Sequence, residues 1–466
     1  MDSKAIEGLK SIWQMGGLAP SALSQIELTE GASLPSCFHI GPLALATIGA
    51  QALAAAQIFQ QRTGQSQRVS VSQRRALTMF RAERYLQVDG KPVQDGLSPL
   101  FGYYQAANGQ WVQLHTNFPH HLDGVLRILG CEPTREAVSR ALLRWPAEQL
   151  ETQLAQAGVV GSAIRTTEQW LSHPHAAALA SLPLIEVVRI GDSAPEAIGR
   201  GVEPNSPLSG VRVLDLSRVI AAPVAARTLA QHGADVLAVG AEHLPNVLPF
   251  VIDTGRGKRS AFLDLRQAAD KDQLMTLVRD ADVFVQAYRP GSLASRGFSP
   301  EALVRARPGI VYVTLSAYGH VGPWAMRRGY DSLVQSATGI AHAEGLAAGS
   351  DSPGKLACQA LDHATGYLAA FGAIVALQKR SEEGGSWLVR VSLAQTARWL
   401  RSLGERAHGY AEPELEREEY EPWLEEIDSP YGRVTAVAPA ELMSITQPKL
   451  ELPPVPLGTH QASWQS

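Results

Sequence analysis

The stretch LDHATGYLAAFGAIVALQKR, residues 361–380, decides how the rest of the chain is read. It opens on one carboxylate, Asp362, and continues as a helix of small and apolar residues. Ala369, Ala370, Gly372, Ala373 and Ala376 carry so little bulk that another backbone can pack close. Within the run only the neighbours His363 and Thr365 solvate Asp362. A carboxylate at the mouth of such a helix has two roles open to it. One is an N-cap, which Asp fills often. The other is a covalent nucleophile, since a carboxylate is ionised at neutral pH without an activating base. The local pattern alone favours the cap.

A second alanine-rich helix stands near the start of the chain, over residues 42–59. It is long and apolar enough to suggest a membrane span, but Gln51 and Gln57 interrupt it and a Gln-Gln-Arg run follows, so it reads as a buried helix of a soluble protein. The two helices align. Ala46 and Thr47 match Ala364 and Thr365, Ala52 matches Ala370, Ala55 matches Ala373, Gln60 matches Gln378 and Arg62 matches Arg380. With two residues of slack, Val71 and Ser72 then match Val391 and Ser392. This is an internal repeat. Ala44 stands opposite Asp362 and Leu45 opposite His363, so the first copy keeps the helix without a carboxylate.

Composition sets limits on function. The chain has 466 residues, 45% of them hydrophobic, enough for two or three domains with sizeable cores. A net charge of −4 argues against a nucleic-acid or anionic-membrane partner. Three cysteines, Cys37, Cys131 and Cys358, are far apart and odd in number, which excludes a disulfide framework and fits a reducing cytoplasm. Residues 1–20 show no secretory pattern. His115, His120, His121, His173 and His175 lack the spacing of a zinc site, so no metal is expected and they read as strand or turn histidines.

Residues 103–107 and 110–115 alternate around Asn108 and Gly109, a hairpin signal. Thr166 and Gln169 have capping-box spacing, with a helix stop at His173 and Pro174. A linker of low apolar content, residues 191–207, marks a domain boundary. Beyond it strands at 211–216, 235–239, 261–265, 283–287 and 311–316 alternate with helices, among them one opened by Pro223 and one over 300–307. That alternation predicts an α/β fold built on a doubly wound parallel sheet. Loops 219–223, 287–291 and 317–323, beyond the carboxyl ends of the strands, should line one crevice. No Gly-x-Gly-x-x-Gly is present, which argues against a nicotinamide cofactor. The loops carry Arg256, Lys258, Arg259, Arg289, Arg296, Arg327 and Arg328, donors suited to a polyphosphate.

These segments together resemble the class III CoA-transferases. The likeness runs over about residues 207 to 400 in one order. It takes in Gly210–Arg218, Gly233–Val236, Lys258–Ser260 with Leu263–Leu265, Ala281–Val285, Arg289–Gly291, Tyr318–Pro323, Gly329–Asp331 and the Asp362 stretch. Residues 73 onward resemble that family's smaller α+β domain, here placed before the Rossmann-like segment. The resemblance implies that Asp362 carries the acyl group, and that coenzyme A or acyl-CoA binds as substrate, with no permanently held cofactor. The contacts it implies are Val219, Ala222, Arg256, Lys258, Tyr288, Arg289, Arg296, Arg328 and Tyr330. Gly319 and Gly322 are candidate oxyanion donors, and His363 either orients Asp362 or packs beside it. The expected second partner is a small carboxylic acid, and the expected assembly a homodimer whose chains interlock. The racemase branch carries histidine where Tyr330 stands, and tyrosine is a poor base at neutral pH. A non-catalytic CoA-binding scaffold is the alternative of another class.

Three segments follow. Residues 1–205 form a partial copy with the alanine-rich helix and the smaller α+β domain. Residues 206–400 form the CoA-binding domain with Asp362. Residues 401–466 hold an acidic stretch, read as a solvated helix or loop, and a proline-rich strap over 439–460.

Overall fold

The computed structural model describes residues 3–31, 33–199 and 201–464. Six apolar runs of the second half form parallel strands: β1 (Arg212–Leu216), β2 (Asp235–Gly240), β3 (Lys258–Phe262), β4 (Val283–Gln286), β5 (Val311–Ser316) and β6 (Ser386–Ser392). They lie in the order β3-β2-β1-β4-β5-β6, and Glu186–Gly191 adds an antiparallel edge strand beside β6. Val213 of β1 is level with Val236 of β2 and Val283 of β4, so the order reverses at β1 and β4. A crevice beyond the carboxyl ends of these two strands is what such a reversal creates.

Strand β3 begins three residues before the apolar run at 261–265 that announced it. The difference is electrostatic. Lys258 and Arg259 are buried, which a charge tolerates only when paired. Lys258 Nζ lies 2.8 Å from Asp215 Oδ2 on β1 and donates to the Pro223 carbonyl at 2.8 Å. Arg259 pairs with Asp235 of β2 at 2.8 Å.

Four helices position the site: α1 (Ile40–Thr63), α2 (Ala221–Gln231), α3 (Asp331–Ala337) and α4 (Ala360–Glu383). The repeated helices α1 and α4 have 24 residues each. Both are apolar and long enough to cross a membrane, yet their most apolar windows are 94% and 100% buried inside the protein. They lie against each other within this one chain, and Gln61 Nε2 donates to Ser381 Oγ at 3.0 Å near their ends. The repeat extends past the helices. Val69–Ser72 leads into Gln73–Met79, capped by Ser72, as β6 leads into Leu393–Ser402, capped by Ser392. The copies then part, because Val69–Ser72 joins a separate three-stranded sheet with Ile26–Thr29 and Glu441–Met443.

The small residues of α4 do what their size allows. A Cβ on Gly366 would stand 2.4 Å from the Ala221 carbonyl oxygen of α2, and one on Gly372 would stand 2.5 Å from Val389 Cγ1 of β6. The main core takes residues from both sides of position 205, with Leu43 and Leu53 packed among Leu368 and Ile374. The smaller unit keeps its own core, including Val112, Leu114, Val138 and Leu150. Its hairpin pairs Gly102–Gln105 with Trp111–Leu114, across a 3-10 turn at Ala107–Gly109 rather than a two-residue turn. Thr166 forms the expected capping box with Gln169.

The acidic stretch is in part the expected solvated helix, at Arg417–Tyr420, which has no buried residue. Leu424–Ser429 is a strand paired with Gly432–Val437, and Glu414, Glu419 and Glu425 engage Arg81, Arg74 and Arg256. The strap runs back over the sheet: Lys449 N–H donates to the Gln231 carbonyl at 3.0 Å, Gly257 N–H to that of Leu452 at 2.8 Å, and His460 N–H to that of Ser260 at 2.7 Å.

Gly366→Val puts side-chain bulk against the Ala221 carbonyl, which is backbone and cannot rotate away. Denaturant unfolding should show a loss of about 1–3 kcal/mol. Gly255→Ala, whose added methyl meets nothing within 4 Å, should leave the midpoint where it is.

Candidate active site

Strand β1 ends at Leu216, and Ser217 to Ile220 turn the chain into α2. Val219 makes this turn at φ 75°, the left-handed region that a β-branched side chain rarely enters. Backbone held there stores strain, and such strain concentrates at functional sites. No side chain caps α2, so the N–H groups of its first turn are donors at the edge of the crevice.

Asp362 is the third residue of α4, whose N-cap Gln359 makes no side-chain capping bond. The cap comes from elsewhere. Asp331, the first residue of α3, accepts the Asp362 N–H on Oδ2 at 2.9 Å, and its other oxygen accepts from Gln335. With Asp331 as the cap, no hydrogen bond from the described residues reaches the Asp362 carboxylate. Burial, then the like charges of Asp331 and Glu83, push its pKa well above the usual carboxylate range. Burial pushes Asp331 up to about 6, against the bonds it accepts. The N-terminal ends of α3 and α4 favour both negative charges in part.

Two cavities meet at Asp362. One, of about 370 Å³, has walls that include Arg218, Val219, Ala222, Tyr288, Arg289 and Arg328. The other, of about 1290 Å³, extends toward the smaller unit past Phe101, Tyr103 and Trp111. Phe118, Val219, Ile220 and Tyr330 border both. Val219, Ala222, Tyr288, Arg289, Arg328 and Tyr330 are therefore brought together with Asp362.

Three expected contacts border neither of these two cavities. Arg256 is fully buried, with its guanidinium on Asp253 at 2.6 Å, the Val437 carbonyl at 2.8 Å and Glu425 at 3.1 Å. It ties the Gly432–Val437 strand to the large unit and faces no cavity. Lys258 is paired with Asp215 and donates to the Pro223 carbonyl, and it lines a third, small cavity shared with Phe118, Ser217, Arg218 and Val219. Arg296 is exposed and donates to the Leu265 carbonyl at 3.1 Å, away from both cavities. Gly319 N–H donates to Ser316 Oγ at 3.1 Å and Gly322 packs against His175; neither glycine borders the two cavities, whereas Ala221 and Ala222 at the uncapped start of α2 border the smaller one.

Arg218, His120 and His121 line the smaller cavity without having been singled out as contacts. Arg218 stands 5.5 Å over the Phe118 ring, and one of its terminal nitrogens is buried without a hydrogen-bond partner. Its signal was positional, directly after the strand where the sheet order reverses. The two histidines had none, being about a hundred residues away on Pro119–Leu129. His363 turns from Asp362 toward Glu83, at 3.1 Å, and stacks on Phe80. His115 stacks on Tyr330 with ring centroids 4.0 Å apart, and burial pushes the Tyr330 hydroxyl up to about 12. Among the described residues no cluster of His, Cys, Asp and Glu would hold a metal ion.

The sequence matches CoA-transferase family III over residues 19–188 and 208–422, and the chain belongs to that family. It is 32% identical over 288 residues to the acetyl-coenzyme A transferase nodX of Hypoxylon pulicicidum, which covers 59% of this chain and 48% of that protein. It is 32% identical over 212 residues to the probable fatty acyl-CoA transferase Rv3272 of Mycobacterium tuberculosis, over 43% of this chain and 53% of that one. The crystal structure of Rv3272 in its orthorhombic form aligns with a TM-score of 0.39 at 30% identity, over 42% of this chain and 58% of that one. The chain thus spans about half the length of the curated relatives it matches.

The two raised carboxyls predict a pH-dependent stability. A carboxyl whose folded pKa is raised contributes most below its unfolded value near 4 and loses that contribution as pH rises, for Asp331 through about 6. Asp362→Asn removes one of the two buried charges. Its melting temperature at pH 8 should equal or exceed that of the parent, with the gap closing toward pH 4.5. A lower melting temperature at pH 8 would instead mark Asp362 as a structural cap.

Proposed function

We propose that the chain transfers coenzyme A between an acyl-CoA and a carboxylic acid through covalent intermediates on Asp362. The observation that carries this reading is a carboxylate at the start of α4, relieved of capping by Asp331 and placed where two cavities meet. An Asp362 oxygen attacks the thioester carbonyl carbon; the C–S bond breaks and CoA leaves as thiolate, giving a mixed anhydride. The thiolate then attacks the aspartyl carbonyl of that anhydride. The acyl group departs as a carboxylate, and Asp362 becomes a thioester of CoA. An incoming carboxylate runs the two steps in reverse. Anhydride and thioester are close in group-transfer reactivity, so neither ATP nor a metal ion enters the balance.

Oxyanions form at each attack, and the uncapped first turn of α2 beside Val219 offers preorganised N–H donors. Arg218, Arg289 and Arg328 offer guanidinium groups to the phosphates of the CoA nucleotide in the smaller cavity. The racemase reading lacks support, since Tyr330 holds its proton up to about 12. A cytoplasmic location belongs to this proposal and fits free thiols at Cys37, Cys131 and Cys358. The interlocked homodimer belongs to it too, although α1 and α4 already bury each other within one chain.

Asp362→Ala should abolish transfer while the protein still melts cooperatively; full turnover in it would end the nucleophile reading. Asp331→Asn keeps an oxygen for the Asp362 N–H but removes a like charge. The pH dependence of kcat/KM should therefore rise at lower pH than in the parent, because Asp362 ionises more easily. An unmoved pH profile would show that the pair is not coupled in turnover.

A further inference from the structure

We infer that the larger cavity is a chamber for a long or bulky apolar acyl group, so that the transferred acid is a fatty-acid-like carboxylate rather than a short dicarboxylate. The inference rests on Asp362 as the acyl acceptor and adds the substrate class. Size is the first argument. The cavity measures about 1290 Å³, above the usual range of roughly 300–1,000 Å³ for a small-molecule site. An acetyl or succinyl group attached at Asp362 would leave nearly all of that space to water.

The chemistry of the wall is the second argument. Val93, Phe101, Tyr103, Trp111, Val247 and Phe250 line the chamber and remain only partly covered by the rest of the chain. The Tyr103 hydroxyl is already engaged, donating to the Gly354 carbonyl at 2.7 Å, so the ring is what remains for a ligand. Polar side chains such as Gln113, Asn117 and Gln335 stand among them, but partly covered aromatic and aliphatic surface is held at a cost unless a ligand covers it.

Charge placement is the third. A short dicarboxylic acyl group would bring its second carboxylate deep into the chamber, where it would need a buried cation. The cations of the lining, Arg84, Arg135 and Lys355, are all exposed at its mouth. His115 is buried in the wall, but burial lowers its pKa to about 4 and keeps it neutral. Asp362 is neutral once acylated, and the buried carboxyl of Asp331 beside the reacting carbon, when ionised, repels a second carboxylate. An apolar chain meets no such penalty. Phe101, Tyr103 and Trp111 come from the first half of the chain and Val247 and Phe250 from the second, so the smaller unit takes part in choosing the acyl group.

The test compares acetyl-CoA, succinyl-CoA and palmitoyl-CoA as donors to one acceptor acid, with the full-length chain. The parent should favour palmitoyl-CoA in kcat/KM by tenfold or more over the other two. Val247→Trp and, as a second variant at another wall, Ala357→Phe should each narrow the palmitoyl-to-acetyl ratio at least tenfold. A preference for acetyl-CoA or succinyl-CoA, or a ratio unmoved in both variants, overturns the inference while leaving Asp362 as the acceptor. Calorimetric titration with dodecanoate and with succinate gives a readout independent of turnover. Dodecanoate should bind with a negative heat-capacity change, more weakly in the filled variants, and succinate should not. Dodecanoate binding without any transfer would sink the transferase reading alone; absent dodecanoate binding would sink the chamber.

Discussion

The contact from Asp362 N–H to Asp331 Oδ2, at 2.9 Å, sets the terms for the rest of the site. An aspartate in the first turn of a helix ordinarily serves the helix, satisfying N–H groups that have no partner within it. Here a carboxylate from the start of α3 reaches across and takes that duty. Asp362 keeps its place near the positive end of the α4 dipole but has no bond of its own to keep. Two carboxyls held this close in a buried setting repel each other and resist ionisation. The fold retains both, at a cost in stability.

Packing explains why that arrangement holds. Gly366, one turn beyond Asp362, lets the Ala221 carbonyl approach α4 so closely that no side chain fits. The uncapped start of α2 is thereby brought beside Asp362, and the strained turn at Val219 delivers it there from β1. On the far side α1 covers α4 along its length. The first copy of the repeat therefore contributes a wall rather than a second reacting group, which fits alanine at position 44 where the second copy has Asp362.

Much of this was legible in the sequence, because periodicity and small-residue spacing report on backbone contacts directly. The alternation of strands and helices after residue 207 announced the sheet, and the reversal in strand order placed the crevice. The alanines and glycines of α4 announced close approach. What stayed hidden depended on pairing across long separations. A basic residue near a strand end reads the same whether it faces a phosphate or a buried aspartate, and Lys258 and Arg256 are paired with Asp215 and Asp253. Asp331 closes the Gly329–Asp331 motif, yet nothing local to it tells that it caps a helix beginning 29 residues later. Arg218 carries no motif of its own beyond its position directly after β1, and that position is the guide to it.

The central claim is that Asp362 becomes covalently modified, and mass spectrometry of the intact site tests it most directly. The protein is mixed with an acyl-CoA, quenched in acid and digested. The account predicts that the peptide containing Asp362 gains the mass of an acyl or CoA adduct, that hydroxylamine converts this aspartate to its hydroxamate, and that Asp362→Ala shows neither change. An unmodified Asp362 peptide in protein that turns over the same acyl-CoA would contradict the account.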